Sequence, residues 1–388
     1  MKLLNSANIY ISLWCLYFMQ GTLYPQGGWI SRTILLIVLL ISLINVYTLN
    51  TKYKIPIYFK GLNFLLLLFL IYGFFLIING YYLPAGFSKY TFIQQILISL
   101  LPTYSAYVYT RQGVLDAKSL RIWIPIWFVV AICSYYYNEH QVLATITSGR
   151  EEITNNIAYS FVALMPVLVL LSRKPIIQYS LLLVCLSFVL MSMKRGAILI
   201  ALILIIWFVI RTLKTTKGKG KFYNIVLLLV IGLFIYLLVS TMLLESDYFN
   251  QRIDQTLEGS SSGRGRLYLI FWQHFLSETN LFRFLFGGGA NYTLAIAGQY
   301  AHQDWLEILI NHGILGICIY VYYFICFYRS WRSVRFSSDL YTGLGMLLLI
   351  NFCTSLFSMG YSNMEIYASL TLGFYLGYVN KNVFNETV

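Results

Sequence analysis

Twelve stretches of this chain run 17–23 residues with almost no charge, and that pattern restricts the fold more than any motif does. A helix needs roughly 17–25 apolar residues to cross a bilayer whose hydrocarbon core is ~30 Å thick. The runs lie near residues 7–24, 30–48, 61–78, 92–109, 121–137, 155–171, 176–193, 196–213, 222–244, 305–327, 340–358 and 364–380, with the first, fourth and fifth the weakest. Composition agrees. The 388 residues are 59% hydrophobic and 11% charged, whereas soluble domains carry about 25% charged residues. The expected fold is an all-α integral membrane protein of about 12 transmembrane helices. Residues 1–244 would hold helices 1–9, and 245–304 a large outer loop with an amphipathic helix. Residues 305–388 would hold helices 10–12 and a short cytoplasmic tail. A single Lys precedes the first run and no small-x-small site follows it, so that run is expected to act as an uncleaved anchor. The six cysteines all fall inside apolar runs without a CxxC pair, which reads as small hydrophobes rather than disulfides or a thiolate metal site.

A net charge of +13 raises the question of nucleic acid, but its distribution answers differently. If the N-terminus is cytoplasmic, 18 of the 27 Lys and Arg fall on cytoplasmic segments together with only Asp116, Asp339 and Glu386. Lysine and arginine collect on the cytoplasmic side of membrane proteins. The charge therefore reports topology, with both termini cytoplasmic, and no nucleic-acid partner is expected. One pair breaks the rule. "SRKP" at 172–175 and "RTLKTTKGKGK" at 211–221 are both cytoplasmic by this count, and two runs separate them, so Lys194 and Arg195 in "SMKRGAILI" come out on the outer side. The run before them is short, since 16 residues from Ile176 to Met191 cover only ~24 Å. Snorkelling to lipid phosphate is the plain reading of such cations.

The outer loop carries further candidates. Arg264 and Arg266 stand in "EGSSSGRGRLYLIFWQHF", where Leu267, Ile270, Phe271 and Phe275 recur at helical spacing and predict a short amphipathic helix on the membrane. "LFGGGAN" at 285–291 is a turn cluster lacking the Lys-Ser/Thr of a P-loop. In "AHQDWLEILINHGILG", Asp304 and Glu307 have the spacing of a capping box, with Asp304 as N-cap. His302 precedes that cap at the membrane surface, where a near-neutral imidazole can serve as general base. His312 reads as a packing residue. Arg150 in "TSGREEITNNIAY" is a fainter anion contact beside Glu151 and Glu152, and Tyr135, Tyr136 and Tyr137 read as an interfacial aromatic belt. Cations, a histidine and carboxylates near the outer surface suit a lipid-linked diphosphate. An ion-coupled transporter fits poorly, because no charge sits at the middle of a run. A lipid-linked oligosaccharide transporter would show internal symmetry. A structural subunit would leave the His and Arg residues dispensable.

These pieces together resemble the O-antigen polymerase/ligase family of bacterial polysaccharide assembly. The matching stretches are "SMKRGA", "REEITNNIAYSFVALMP", "SGRGR", "LFGGG" and "AHQDWLEILINHGILG", with a large outer loop between the ninth and tenth runs. The resemblance covers about residues 140–330, while the first five runs match in hydropathy alone. Lys194 stands within the Ser-Arg turn, and Gln303 where Asn commonly follows the His. The resemblance implies a GT-C-like fold in the bacterial cytoplasmic membrane and metal-independent, inverting glycosyl transfer on its outer face, with no cofactor. The donor would be an oligosaccharide on undecaprenyl diphosphate. The acceptor would be another lipid-linked repeat unit in a polymerase, or the lipid A core in a ligase, and the "HxDxLE…GILG" entry looks more polymerase-like. Implied partners are membrane lipids, a chain-length regulator and a flippase. On this reading Arg195, Arg264, Arg266 and Lys194, with Arg150 as a weaker member, would hold the diphosphate. His302 would take the acceptor proton, and Asp304 or Glu307 would orient the His or bind sugar hydroxyls.

Overall fold

The computed structural model describes residues 5–79, 83–84, 87–146, 154–172, 174–216, 218–245, 264–335, 338–361 and 364–385. These residues are helical and connected by turns, with no strand beyond an isolated bridge between Gln20 and Tyr24. The first helices are α1 (Ser6–Phe18), α2 (Trp29–Lys52), α3 (Ile57–Asn79), α4 (Thr91–Arg111) and α5 (Ala117–Ile146). They continue as α6 (Ala158–Leu164) running into a 3₁₀ stretch (Met165–Leu171), then α7 (Pro175–Met191), α8 (Arg195–Thr215) and α9 (Lys219–Glu245). Three short helices follow: α10 (Arg264–Ser277), α11 (Leu281–Phe286) and α12 (Tyr292–Ala297). The chain ends on α13 (Asp304–Arg332), α14 (Asp339–Phe357) and α15 (Ile366–Asn385).

Every apolar run overlaps a helical segment, but among the described residues seven helices are long and apolar enough to cross a membrane: α2, α3, α5, α8, α9, α13 and α14. The other five differ for separable reasons. Helix α1 has 13 residues, α6 and its 3₁₀ extension have 7 each, and α7 has 17. Helices α4 and α15 are long but carry many Ser, Thr and Tyr residues. They form the centre of the bundle, where a helix faces protein rather than lipid. Residues 99–110 of α4 are buried, as are Ile366–Leu376 of α15. Two hydroxyls of α15 find partners there: Ser369 Oγ donates to the Ser99 carbonyl (2.7 Å) and Tyr375 Oη to the Pro166 carbonyl (2.7 Å). Gly373 and Gly377, four apart on α15, let the two backbones touch. A Cβ on Gly373 would sit 2.2 Å from the Thr103 carbonyl oxygen, and one on Gly377 2.9 Å from that of Tyr107. Small residues at this spacing are the usual means of close helix approach in membranes.

Helix α13 is broken near its start. Gly313 has φ 64° and ψ −162°, outside helical space, and the turn that leaves the helix there is filled by the glycine cluster. The N–H of Gly288 donates to the Ile310 carbonyl (3.0 Å) and that of Gly289 to the Asn311 carbonyl (2.9 Å). Gly287 and Gly289 have φ values of 75° and 110°, conformations that side chains rarely adopt. A Cβ on Gly287 would meet the Asn311 carbonyl at 2.4 Å, and one on Gly313 that of Leu285 at 2.5 Å. "LFGGGAN" is thus a plug in a helix break, with two of its amides committed to helix carbonyls.

The amphipathic helix forms, as α10, but its apolar face does not lie on lipid. Leu267 and Phe271 are buried against Ala301, Leu306 and Ile310 at the entry of α13. The face left open carries Leu269, Trp272 and Leu276. Three consecutive tyrosines also divide. Tyr136 and Tyr137 stay accessible, while Tyr135 is buried with its ring against Phe161 and Phe188 and belongs to the core rather than to an interfacial belt.

Candidate functional site

The turn before α8 is held from two sides. Met193 takes φ 53°, and Ser192 Oγ caps back onto the Val189 carbonyl (2.6 Å). From the Asn-Asn segment, the Asn155 N–H donates to the Ser192 carbonyl (3.1 Å). Asn155 is itself fixed, since its Oδ1 accepts from Asn138 Nδ2 (2.7 Å) and the Ile157 N–H (3.0 Å), and its Nδ2 donates to the Tyr135 carbonyl (3.0 Å). Tyr159 Oη lies 2.6 Å from where a Cβ on Gly196 would sit, so the glycine allows α6 to close on α8. The two sequence stretches, 40 residues apart, make one structure.

That structure forms a wall of a cavity of about 440 Å³, open on one side and lined by Lys194, Tyr159, Tyr300, His302, Asn351 and Glu365 among others. Lys194, rather than Arg195, lines it; Arg195 opens α8 beside it. Arg264 begins α10, with Nη1 donating to the Phe357 carbonyl (3.1 Å) next to the lining residue Ser358. Its charge reaches His302. Arg266, two residues on, is exposed and is not among the lining residues. Arg150 lies outside the described residues.

His302 sits in a left-handed turn (φ 55°) that swings its imidazole into the cavity mouth. His302 stays partly exposed, but its partial desolvation against the wall lowers its pKa below the ordinary imidazole value, and the positive charges of Arg264 and Lys194 lower it further. A base needs to be unprotonated, so the rate of any reaction that uses it should hold at neutral pH. It should fall only as pH drops through a value below 6.5. Lys194→Met removes one of the depressing charges and should move this acid limb of the kcat/KM profile to higher pH. An unmoved limb would show that His302 is not the titrating base. Beside it, burial and the nearby Glu307 push the Tyr300 hydroxyl up to about 12, which keeps it a hydrogen-bond donor at neutral pH.

Asp304 and Glu307 do not form a capping box. The N-cap is Gln303, whose side chain makes no cap bond. Both carboxylates are fully buried and serve distant segments. Asp304 accepts from Tyr320 Oη (2.6 Å) and from the N–H groups of Gly360 (2.8 Å) and Tyr361 (3.0 Å). Glu307 accepts from Thr293 Oγ1, the Ala301 N–H (2.7 Å) and Asn311 Nδ2 (2.9 Å). Neither lines the cavity, so neither touches substrate there; they fix the loops on either side of His302. His312 is likewise buried, with its ring against Phe69 and Tyr72 and no hydrogen-bond partner on either nitrogen, as a packing residue would be.

The cavity also contains groups that the motifs do not announce. Gln95, Asn156, Asn351 and Glu365 bring neutral and acidic polar atoms to its wall, and Ser160 Oγ donates to Glu365 Oε2 (2.8 Å). Their signal in the sequence is weak but present: single polar residues inside apolar runs, and one acid opening the last run. Among the described residues no group of three or more His, Cys, Asp or Glu is placed to hold a metal ion.

The apolar helices and this cavity at their ends define a multi-pass membrane protein with a polar site at one face. Residues 180–321 match the family model described as O-antigen ligase, and this match supports the resemblance to the O-antigen polymerase/ligase family. No match is found among curated proteins. The family's members are glycosyltransferase-like enzymes of polysaccharide assembly, and the match supports a role for this chain in that process. Lys194, Arg195, Arg264, Arg266, His302, Asp304 and Glu307 all fall within the matched span; Asn155, Asn156 and Glu365 do not.

Proposed function

We propose that the protein polymerises undecaprenyl-diphosphate-linked repeat units on the outer face of the bacterial cytoplasmic membrane, by metal-independent, inverting glycosyl transfer. The observation that carries this reading is the meeting of His302 and Lys194 at one cavity, with Arg264 close enough to act on the imidazole. His302 takes the proton of the acceptor hydroxyl as its oxygen bonds to the anomeric carbon. The bond from that carbon to the phosphate oxygen breaks, and the electron pair leaves with the diphosphate. A diphosphate needs charge stabilisation rather than a proton, which Lys194 and Arg264 supply with Arg195 at the adjoining start of α8. Tyr300, Asn351 and Glu365 offer hydrogen bonds to sugar hydroxyls. Outer-face chemistry fits the charge count, which puts residue 194 and the 245–304 loop on the same side.

The same chemistry serves a ligase, the reading favoured by the description of the matching family model, with lipid A core as acceptor. The glycan profile of a deletion strain separates the two. Single repeat units on the lipid A core are expected for the polymerase. Full-length chains left on undecaprenyl diphosphate would identify a ligase, and an unchanged profile would refute both.

A further inference from the structure

At the opposite end of α5, α6 and α7 from His302 lies a second cavity, of about 480 Å³, lined by Arg121, Ile124, Pro125, Leu170, Leu171, Lys174, Ile177 and Leu181. Its origin is local. The α6 segment with its 3₁₀ stretch has only 14 residues, and the chain turns back at Ser172. That short element ends at Leu171, where α5 and α7 flank it, and a groove is left between them. Pro125 on α5 and Pro175 at the start of α7 mark its level, and Pro125 and Ile177 are exposed, so the groove opens sideways. Among the lining residues six are apolar and two are cations, and none is acidic. Arg121 is aimed, because its Nε donates to the Leu170 carbonyl (3.0 Å) and holds the guanidinium at the rim. Lys174 stands across from it as the residue before α7.

We propose that this groove binds an anionic phospholipid, with the headgroup phosphate between Arg121 and Lys174 and an acyl chain along Ile124, Pro125, Ile177 and Leu181. Charge complementarity chooses the occupant. A zwitterionic lipid would bring a third cation to a rim that already holds two. A protein helix would fill the apolar part but leave both cations to an acidic residue that an apolar segment lacks. Basic pockets between helices on the cytoplasmic side are recognised sites for anionic headgroups, and this is the face that the charge distribution assigns to the cytoplasm. The bound lipid joins α5 to α7 beneath the segment that carries Asn155 and the Ser192 turn. The proposal does not depend on the chemistry assigned to His302.

The test is native mass spectrometry of the full chain, released from detergent containing equal phosphatidylglycerol and phosphatidylcholine. The wild type is expected to retain phosphatidylglycerol at least tenfold over phosphatidylcholine. The exposed-residue variant Arg121→Gln/Lys174→Gln is expected to lose that preference, and Leu181→Trp, which fills the apolar part, to lose the adduct with both cations still present. Lys52→Gln/Lys54→Gln, in another basic loop, should retain it. Equal retention of the two lipids by the wild type overturns the proposal. So does an equal loss in the Lys52/Lys54 control, because it would mean general attraction to basic loops. Displacement of the lipid by millimolar inorganic phosphate would also overturn it, since an ion alone would then suffice.

Discussion

His302→Ala is expected to slow glycosyl transfer by ~10²–10⁴ while the lipid-linked donor still binds, because it removes proton transfer and leaves the cations in place. The geometry sharpens the test. His302 is held in a left-handed turn between a buried Ala301 and a helix start, so the substitution leaves every hydrogen bond of Asp304 and Glu307 intact. The variant should therefore fold and reach the membrane in normal amount. His302→Gln should not rescue turnover, since an amide bonds the acceptor hydroxyl but cannot accept its proton at neutral pH. The measurement is turnover and donor binding by purified protein supplied with lipid-linked repeat units. If His302→Gln turns over like the wild type, the base is another group, and Glu365 on the same cavity becomes the candidate. Asp304 and Glu307 do not, being sealed from the cavity.

Those two carboxylates should instead show their worth in folding. Asp304→Ala leaves the Tyr320 hydroxyl and the N–H groups of Gly360 and Tyr361 without their acceptor, with Tyr320 and Tyr361 buried and Gly360 at the cavity wall. Glu307→Ala does the same to Thr293, Ala301 and Asn311. Each buried group stranded in this way costs roughly 1–3 kcal/mol, and the whole set about 3–5 kcal/mol once relaxation is allowed. Folded yield in mild detergent should drop steeply for both alanine variants. Glu307→Gln, which keeps an acceptor oxygen toward Thr293 or Ala301, should fall between them and the wild type. A thermal midpoint unchanged in Glu307→Ala would refute the structural role and reopen a chemical one.

The helical architecture was legible because lipid imposes one rule along the whole chain: long apolar runs with cations gathered at alternate ends. That rule reads lipid-facing helices best and central ones worst. It marks α4 and α15 as runs, with α4 among the weakest, but gives no hint that they are the core, because scattered Ser, Thr and Tyr residues do not announce the buried partners they meet. The lining of the cavity was legible where residues sit close in sequence to a turn, as with Lys194 and His302. It was misread at Asp304 and Glu307, whose spacing is that of a local cap. Their real partners, Gly360 and Tyr361 for one and Thr293 and Ala301 for the other, come from separate loops, and no local pattern reports such pairing. Glu365 and Asn351 went unremarked for the same reason: a single polar residue in an apolar run signals nothing until the fold shows what faces it.

The glycine plug in the break of α13 bears on how this outer region can be exchanged between related chains. Residues 285–291 and 310–313 are complementary halves of one joint, since the first supplies amides and the second the carbonyls that receive them, with no room for a side chain at Gly287 or Gly313. A graft that carries the 264–304 segment from a related chain without its own helix entry would join mismatched halves. The segment and the start of α13 are thus open to transplantation only as one continuous block through residue 313.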